Sequence, residues 1–320
     1  MNEHGAIEKY IRPLLRGRGD DYVTSQDDAA QVFFHKSSIV VTKDLLVEGV
    51  HFLSGSDPKL LAKKALRVNL SDLASMGSTP HSYLLGLSLP KGTTEKWWKK
   101  FTEGLKEDNS LFSINLVGGD VTSNGSSVIV ISITALGILQ NRILTRDNAK
   151  VGDYLYVSGT IGDAALGLMA YQEKISGKCI YLKKRYDLPI PRVNLSTSMA
   201  TFASACIDIS DGLLQDVQKM CKISRVGATI EASKIPLSEE ARAALQSNKK
   251  LFEGVVTGGD DYELAFTVPP ESCAQVEQLA KNLDVSISKI GTITSEPDVH
   301  ILDENNNKIA ISKQGYVHTF

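Results

Sequence analysis

The chain has 320 residues, enough for two domains and a sizeable core. Apolar residues make up 42% and charged residues 22%, and the formal net charge is −2, so neither disorder nor a basic surface for nucleic acid or anionic membrane is implied. Cys179, Cys206, Cys221 and Cys273 are widely spaced and form no CxxC pair, which excludes a zinc knuckle or redox motif and fits reduced thiols in a cytosol.

In chain order, residues 1–26 read as a short helix and then a polar loop, RGRGDDYVTSQ. The opening MNEHGAIEKY lacks the apolar region of a signal peptide, so a cytoplasmic protein is expected. Strands are expected at AAQVFF (29–34) and SSIVVT (37–42). The segment 57–77 reads as a helix, with Asp57-Pro58 at its start and Gly77 at its end. HSYLLGLSLP (81–90) reads as a strand. A second helix is expected over 93–109, where Trp97, Phe101 and Leu105 recur at helical spacing. INLVGG and SVIVISITALGIL read as strands, and Asn124-Gly125 between them is a hairpin signal. The second run is too short to span a bilayer.

The polar stretch TRDNAKVGD (145–153) looks like a domain junction. Beyond it come a strand (YLYVSG), a helix (GDAALGLMAYQEK), a helix over 213–222 and a strand–loop pattern over 255–268. Strands and helices mix without regular βαβ alternation, so the fold class is α+β.

Acids recur beside these apolar runs. Asp44 follows SSIVVTK, Asp120 follows INLVGG, Asp208 follows ASACI, Asp260 and Asp261 follow VVTGG, and Asp27 and Asp28 precede AAQVFF. LVGGD and VVTGGD echo one another as acids placed after Gly-Gly at the end of an apolar strand. On the helix 57–77, Leu61, Ala65, Val68 and Met76 form an apolar stripe, and Asp72 falls in its gap. An unpaired carboxylate there costs several kcal/mol or is protonated. Hard carboxylate oxygens without clustered His or Cys suit Mg²⁺, which shares its shell with phosphates. Adjacent glycines let backbone approach a phosphate. Mg²⁺-assisted phosphoryl chemistry is the reading these residues support. In CIDISDGLLQDV (206–217), Ser210 or Asp211 can alternatively be a plain helix cap. No P-loop, protein-kinase set, dinucleotide fingerprint or GxSxG elbow is present.

The ordered set QDDAA (26–30), VTKDLLVEGVHF (41–52), KALRVNLSDLASMGSTP (64–80), GGDVT (118–122), LTRDNAKVGD (144–153), IDISDGL (207–213), GGDDYEL (258–264) and GY (315–316) resembles the thiamine-monophosphate kinase family. That family belongs to the aminoimidazole ribonucleotide synthetase superfamily. The resemblance runs from about residue 20 to the C-terminus. It implies a two-domain α+β fold, with an N-terminal domain (1–146) whose sheet forms a barrel across a homodimer and a C-terminal α+β domain (147–320) completing the site. It implies direct in-line transfer from ATP to thiamine monophosphate, aided by several Mg²⁺ ions, with room for a monovalent cation. Carried over by motif, Asp28, Thr42, Lys43, Asp44, Asp72, Asp120, Asp208 and Asp211 would bind Mg²⁺. Gly119, Asp120, Arg146 and Ser210 would contact ATP, and His51, Asp260 and Tyr316 the thiamine phosphate. The family has Ser/Thr-Thr-Asp where this chain has Thr42-Lys43-Asp44, and commonly Glu where it has Asp260. No general base is implied, because the acceptor is itself a phosphate. The competing readings are another ATP-dependent enzyme of the superfamily and a non-catalytic acidic metal-binding module. Sibling enzymes need a reactive early or terminal Cys, and this chain has none before Cys179 and ends in Phe320.

Overall fold

The computed structural model describes residues 22–23, 30–34, 37–175, 177, 179–312 and 315–316. The β-branched runs of the first half pair into a six-stranded sheet: β1 (Tyr22–Val23), β2 (Ala30–Phe34), β3 (Ser37–Val47), β4 (Ser78–Pro90), β5 (Asn115–Asn124) and β6 (Val130–Leu139). Their spatial order is β1-β2-β3-β6-β4-β5, and only the β4–β5 pair is parallel. The Asn124-Gly125 turn therefore does not close a hairpin, because β4 lies between β5 and β6. Asn124 instead ties its own loop, donating from Nδ2 to the Val128 carbonyl at 2.9 Å.

Two helices cover one face of this sheet. The first, α1 (Pro58–Ser75), starts with Asp57 accepting from the Lys59 amide at 2.8 Å and Pro58 in its first turn. The second, α2 (Glu95–Phe112), is capped by Thr94 and buries Phe101 and Leu105 as their spacing predicts. Helix α1 is not amphipathic. It is buried on nearly every side, polar Lys64, Arg67, Asn69, Ser71 and Ser75 included. Its Arg67 forks onto buried Asp108 of α2, at 2.6 and 2.9 Å. The apolar-stripe argument for Asp72 thus gives way to another. Asp72 is half-buried in an otherwise enclosed stretch of the helix and accepts from the Thr42 hydroxyl of β3.

The second half builds another six-stranded sheet from β7 (Tyr154–Ser158), β8 (Ala205–Asp208), β9 (Gly227–Glu231), β10 (Leu264–Val268), β11 (Ile287–Thr294) and β12 (Val299–Leu302). Its order is β12-β9-β11-β7-β10-β8. The helices are α3 (Asp163–Tyr171), α4 (Ile180–Asp187), α5 (Val193–Met199), α6 (Leu213–Ser224), α7 (Glu239–Ser247), α8 (Leu251–Thr257) and α9 (Cys273–Leu283). One core lies between this sheet and α3, α6 and α8, with Leu155, Ile207, Val217 and Val255 inside it. Another joins the halves, packing Ala74 of α1 and Leu144 against Leu195, Met199 and Phe266. α1 thereby touches β8, and this contact positions the site.

The Gly-Gly echo is not structural. Gly118-Gly119 lie inside β5, whereas Gly258-Gly259 follow a helix, because 251–257 is α8 and not a strand. Asp44 is likewise inside β3, which runs on to Val47. Of the acids read as strand ends, Asp208 is one, as the last residue of β8. Asp27 and Asp28 lie outside the described residues. Among the described residues no helix is long and apolar enough to cross a membrane.

Candidate active site

The loop after β8 explains how the opening of α6 is made. Gly212 has φ +119, and a Cβ there would come within 2.7 Å of the Thr257 carbonyl, so only glycine fits. Neither Ser210 nor Asp211 caps the helix. The cap comes from Asp216, one turn inside α6 and 1% exposed. Its Oδ2 accepts from the amides of Ser210, Asp211 and Gly212 at 3.0, 2.9 and 3.1 Å. Its Oδ1 accepts from Lys219 at 2.7 Å, and Lys219 also donates to Asp211.

Three carboxylates, Asp44, Asp72 and Asp208, lie within electrostatic reach of one another where α1 packs on β3 and β8. Thr42 and Asp44 project from the same face of β3. The Thr42 hydroxyl donates to Asp72 Oδ2, and buried Ser71 donates to Asp208 Oδ2 at 2.8 Å. Desolvation pushes Asp44 up to about 7, with Asp208 adding to the rise and Lys43 opposing it. Asp72 is held well above the usual carboxylate range by desolvation, then by Asp44 and Asp208. Asp208 is raised by desolvation, against the Ser71 hydrogen bond and the positive charges of Arg146 and Lys219. Asp208 Oδ1 is buried with no hydrogen-bond partner. Among the described residues no three His, Cys, Asp or Glu side chains stand ready-made around one point. The chemistry of the donors nevertheless fits a hard dication. A buried orphan carboxylate oxygen beside two more carboxyls of raised pKa is relieved by a cation with an oxygen shell.

The other expected residues divide. Arg146, in the loop after β6, exerts its charge on Asp208. Asp211 is half-buried beside Lys219, and its carbonyl accepts from the Tyr316 amide at 3.2 Å, so Tyr316 docks against this loop. His51 sits in the turn after β3, its Nδ1 accepting from the Val47 amide at 3.0 Å. Lys43 projects to the opposite face of β3 and donates to Ser132, which leaves only its backbone on the side of the acids. Gly119 and Asp120 lie on the exposed edge strand β5, three strands and roughly 14 Å from β3. Gly119 is required there, since a Cβ would fall 1.9 Å from the Leu85 carbonyl oxygen.

The GGDDYEL segment separates its acids. Asp260, at φ +74, pairs with Lys64 of α1 at 2.9 Å. Lys64 is 3% exposed, bonds the Tyr186 carbonyl at 2.9 Å and stands 3.8 Å over the Tyr186 ring. Asp261 is buried and accepts from the Gly162 and Ala164 amides at 2.6 and 3.2 Å, capping α3. Glu263 is buried against Ser158, Arg185 and Arg192. Tyr262, at φ +51, places its phenol in the field of Asp260, Asp44, Asp208 and Asp72, and desolvation followed by these acids holds its pKa well above the ordinary value. Lys64, Tyr186, Asp216, Lys219 and Tyr262 were not expected from sequence. An acid in the first turn of a helix was the available signal for Asp216. A lysine inside a buried helix leaves no mark in a spacing pattern.

The family models of AIR synthase related proteins match residues 26–139 with their N-terminal domain and 150–304 with their C-terminal domain. The chain is 36% identical to the thiamine-monophosphate kinase of Caulobacter vibrioides, over 99% of this chain and 90% of that one. It superposes with a TM-score of 0.84 on AaThiL complexed with AMPPCP and TMP, at 29% identity and over 99% of this chain and 97% of that one. The thiamine-monophosphate kinase of Stenotrophomonas maltophilia K279a follows at TM-score 0.79 and 35% identity, over 96% and 98%. With its two-domain α+β fold, this chain belongs to the thiamine-monophosphate kinase family of AIR synthase related proteins.

Proposed function

We propose that this chain transfers the terminal phosphoryl group of ATP to thiamine monophosphate, giving thiamine diphosphate and ADP. The observation that carries this reading is that Asp44 and Asp208 exert their charge on Asp72 between the two sheets, with Asp208 Oδ1 left unpartnered. AaThiL, with AMPPCP and TMP, is similar over almost the whole chain.

Asp44, Asp72, Asp208 and Asp211, with Thr42, would hold several Mg²⁺ ions, and Asp28 and Asp120 complete the proposed set. Bound there, Mg²⁺ would offset the repulsion between the nucleotide phosphates and the acceptor phosphate. The chain's own groups do the positioning. Arg146 can fork onto a phosphate, and its charge already reaches the acids. Ser210 offers its side chain to the nucleotide, because its amide is taken by Asp216. His51, in the turn after β3, and Tyr316, whose amide bonds the Asp211 carbonyl, would contact the thiamine phosphate. Asp260 is charge-balanced by Lys64, so its carboxylate would serve Lys64 and the thiamine cation together. No side chain is assigned as a base, since the acceptor phosphate is deprotonated near neutral pH.

The break between sheets falls between Leu139 and Tyr154, which supports the division into domains 1–146 and 147–320. A homodimer closing the first sheet into a barrel is supported by that sheet's uncovered face, where Leu45, Leu84 and Ile138 are exposed. A cytoplasmic location is supported by the four free cysteines.

The test incubates purified protein with ATP, Mg²⁺ and thiamine monophosphate, with free thiamine as control, and separates products chromatographically. Thiamine diphosphate from the monophosphate alone is expected. No product overturns the reading, and diphosphate formed from free thiamine would make the protein a pyrophosphokinase.

A further inference from the structure

The amides of Ser210, Asp211 and Gly212 converge on one point, the kind of concavity that elsewhere cradles a phosphate. Here the concavity is filled from inside the protein by the Asp216 carboxylate, which is 1% exposed. Its second oxygen is held by Lys219 at 2.7 Å, and Lys219 reaches across to Asp211. The loop that carries Ser210 and Asp211 is therefore shaped by an acid that faces neither solvent nor nucleotide.

We infer that Asp216 is a positioning residue for the reaction: by gathering three consecutive amides and anchoring Lys219, it fixes where the Asp211 carboxylate and the Ser210 side chain stand. This rests on the proposed role of Asp211 in holding Mg²⁺. Three other features of the loop act in the same direction. Gly212 takes a backbone conformation closed to other residues. The Ser210 carbonyl accepts from the Asp260 amide at 2.9 Å. The Asp211 carbonyl accepts from the Tyr316 amide at 3.2 Å. With the amides satisfied by Asp216, the loop has the Asp211 and Ser210 side chains left to present. Lys219 balances the two acids and would stay with Asp216 were a dication to take Asp211. Groups that orient a metal ligand in this way change metal affinity by about 10- to 100-fold when removed.

The test compares Asp216→Asn, Asp216→Ala and Asp211→Asn. Asparagine keeps the shape and one accepting oxygen but loses the charge, so this variant is expected to fold even if alanine does not. Mg²⁺ is titrated calorimetrically in the presence of a non-hydrolysable ATP analogue, and kcat and KM for thiamine monophosphate are measured at fixed and varied Mg²⁺. Asp216→Asn is expected to weaken Mg²⁺ binding about 10-fold and to raise half-saturating Mg²⁺ in parallel, with KM for thiamine monophosphate unchanged at saturating Mg²⁺. A purely structural Asp216 would lower the unfolding midpoint without moving Mg²⁺ affinity. Mg²⁺ affinity within twofold of the parent in Asp216→Asn overturns the inference. If Asp211→Asn weakens Mg²⁺ binding in that case, the role of Asp211 stands. If Asp211→Asn is also unaffected, that role falls with the inference.

Discussion

Asp208 holds one carboxylate oxygen bonded to Ser71 and one buried with nothing to accept from. Desolvation makes its ionised form costly, a cost that the proposed cation would offset. Replacing it by asparagine separates these effects. Asp208→Asn is expected to lower kcat/KM by at least about 100-fold and to abolish Mg²⁺-induced thermal stabilisation, while the melting temperature without Mg²⁺ does not fall. A variant that melts lower without Mg²⁺ and still responds to it would remove Asp208 from the site. The carboxylates at this scale were legible in the sequence: Asp44, Asp72 and Asp208 stood out as acids against apolar runs, and Asp72 feels the charges of the other two. What sequence could not carry was facing. Lys43 differs from Thr42 and Asp44 by one position, and one position on a strand is the other side of the sheet.

Elements were read well where periodicity was strong and poorly where a short run had two answers. Helices α1 and α2 and strands β4, β7 and β10 follow their patterns. VVT before Gly-Gly has strand composition, yet it ends α8, because α8 packs on α3 and α6 in a core that needs a helix there. The hairpin signal failed for a topological reason: a turn fixes chain reversal but does not stop another strand from inserting between its arms. Two predictions belong to elements. Gly212→Ala at the start of α6 forces a side chain into a glycine-only conformation and into the Thr257 carbonyl, and it is expected to cost at least about 1–3 kcal/mol in urea unfolding. Asp261 at the start of α3 is pushed up by burial to about 8, from an unfolded value of 3.8. The unfolded chain then releases this proton first, so stability from this residue is full below about pH 4, falls as pH rises towards 8 and is flat above. Asp261→Asn removes the titration. The urea midpoint of the variant, relative to the parent, is expected to rise between pH 5 and 8. An unchanged difference across that range would mean the two α3 amides fully offset the burial of the charge.

For the whole molecule, the first sheet is open at its edges and uncovered on one face. Helices cover one face, and the other exposes Leu45, Leu84 and Ile138. Strand β5 is an edge strand of ten residues, exposed along nearly its whole length, with Leu116, Val117 and Val121 open to solvent. Long apolar edges of this kind aggregate unless something pairs with them or covers them. The same strand carries Gly119 and Asp120, and these are the expected site residues that stand apart from the acids of their own chain. The proposed second copy, seated on this sheet, would answer both facts, since it would cover the edge and give Asp120 a set of acids to join. Val117→Asp with Val121→Asp places charge on the edge while leaving Gly119 and Asp120 in place. The doubly substituted protein is expected to run as a monomer in light scattering after size exclusion, and to lose at least about 10-fold in kcat/KM with its far-UV spectrum intact. A substituted protein that stays dimeric would move the interface elsewhere. A folded monomer with full activity would mean that one chain holds a complete site, and Asp120 would then have no part in it.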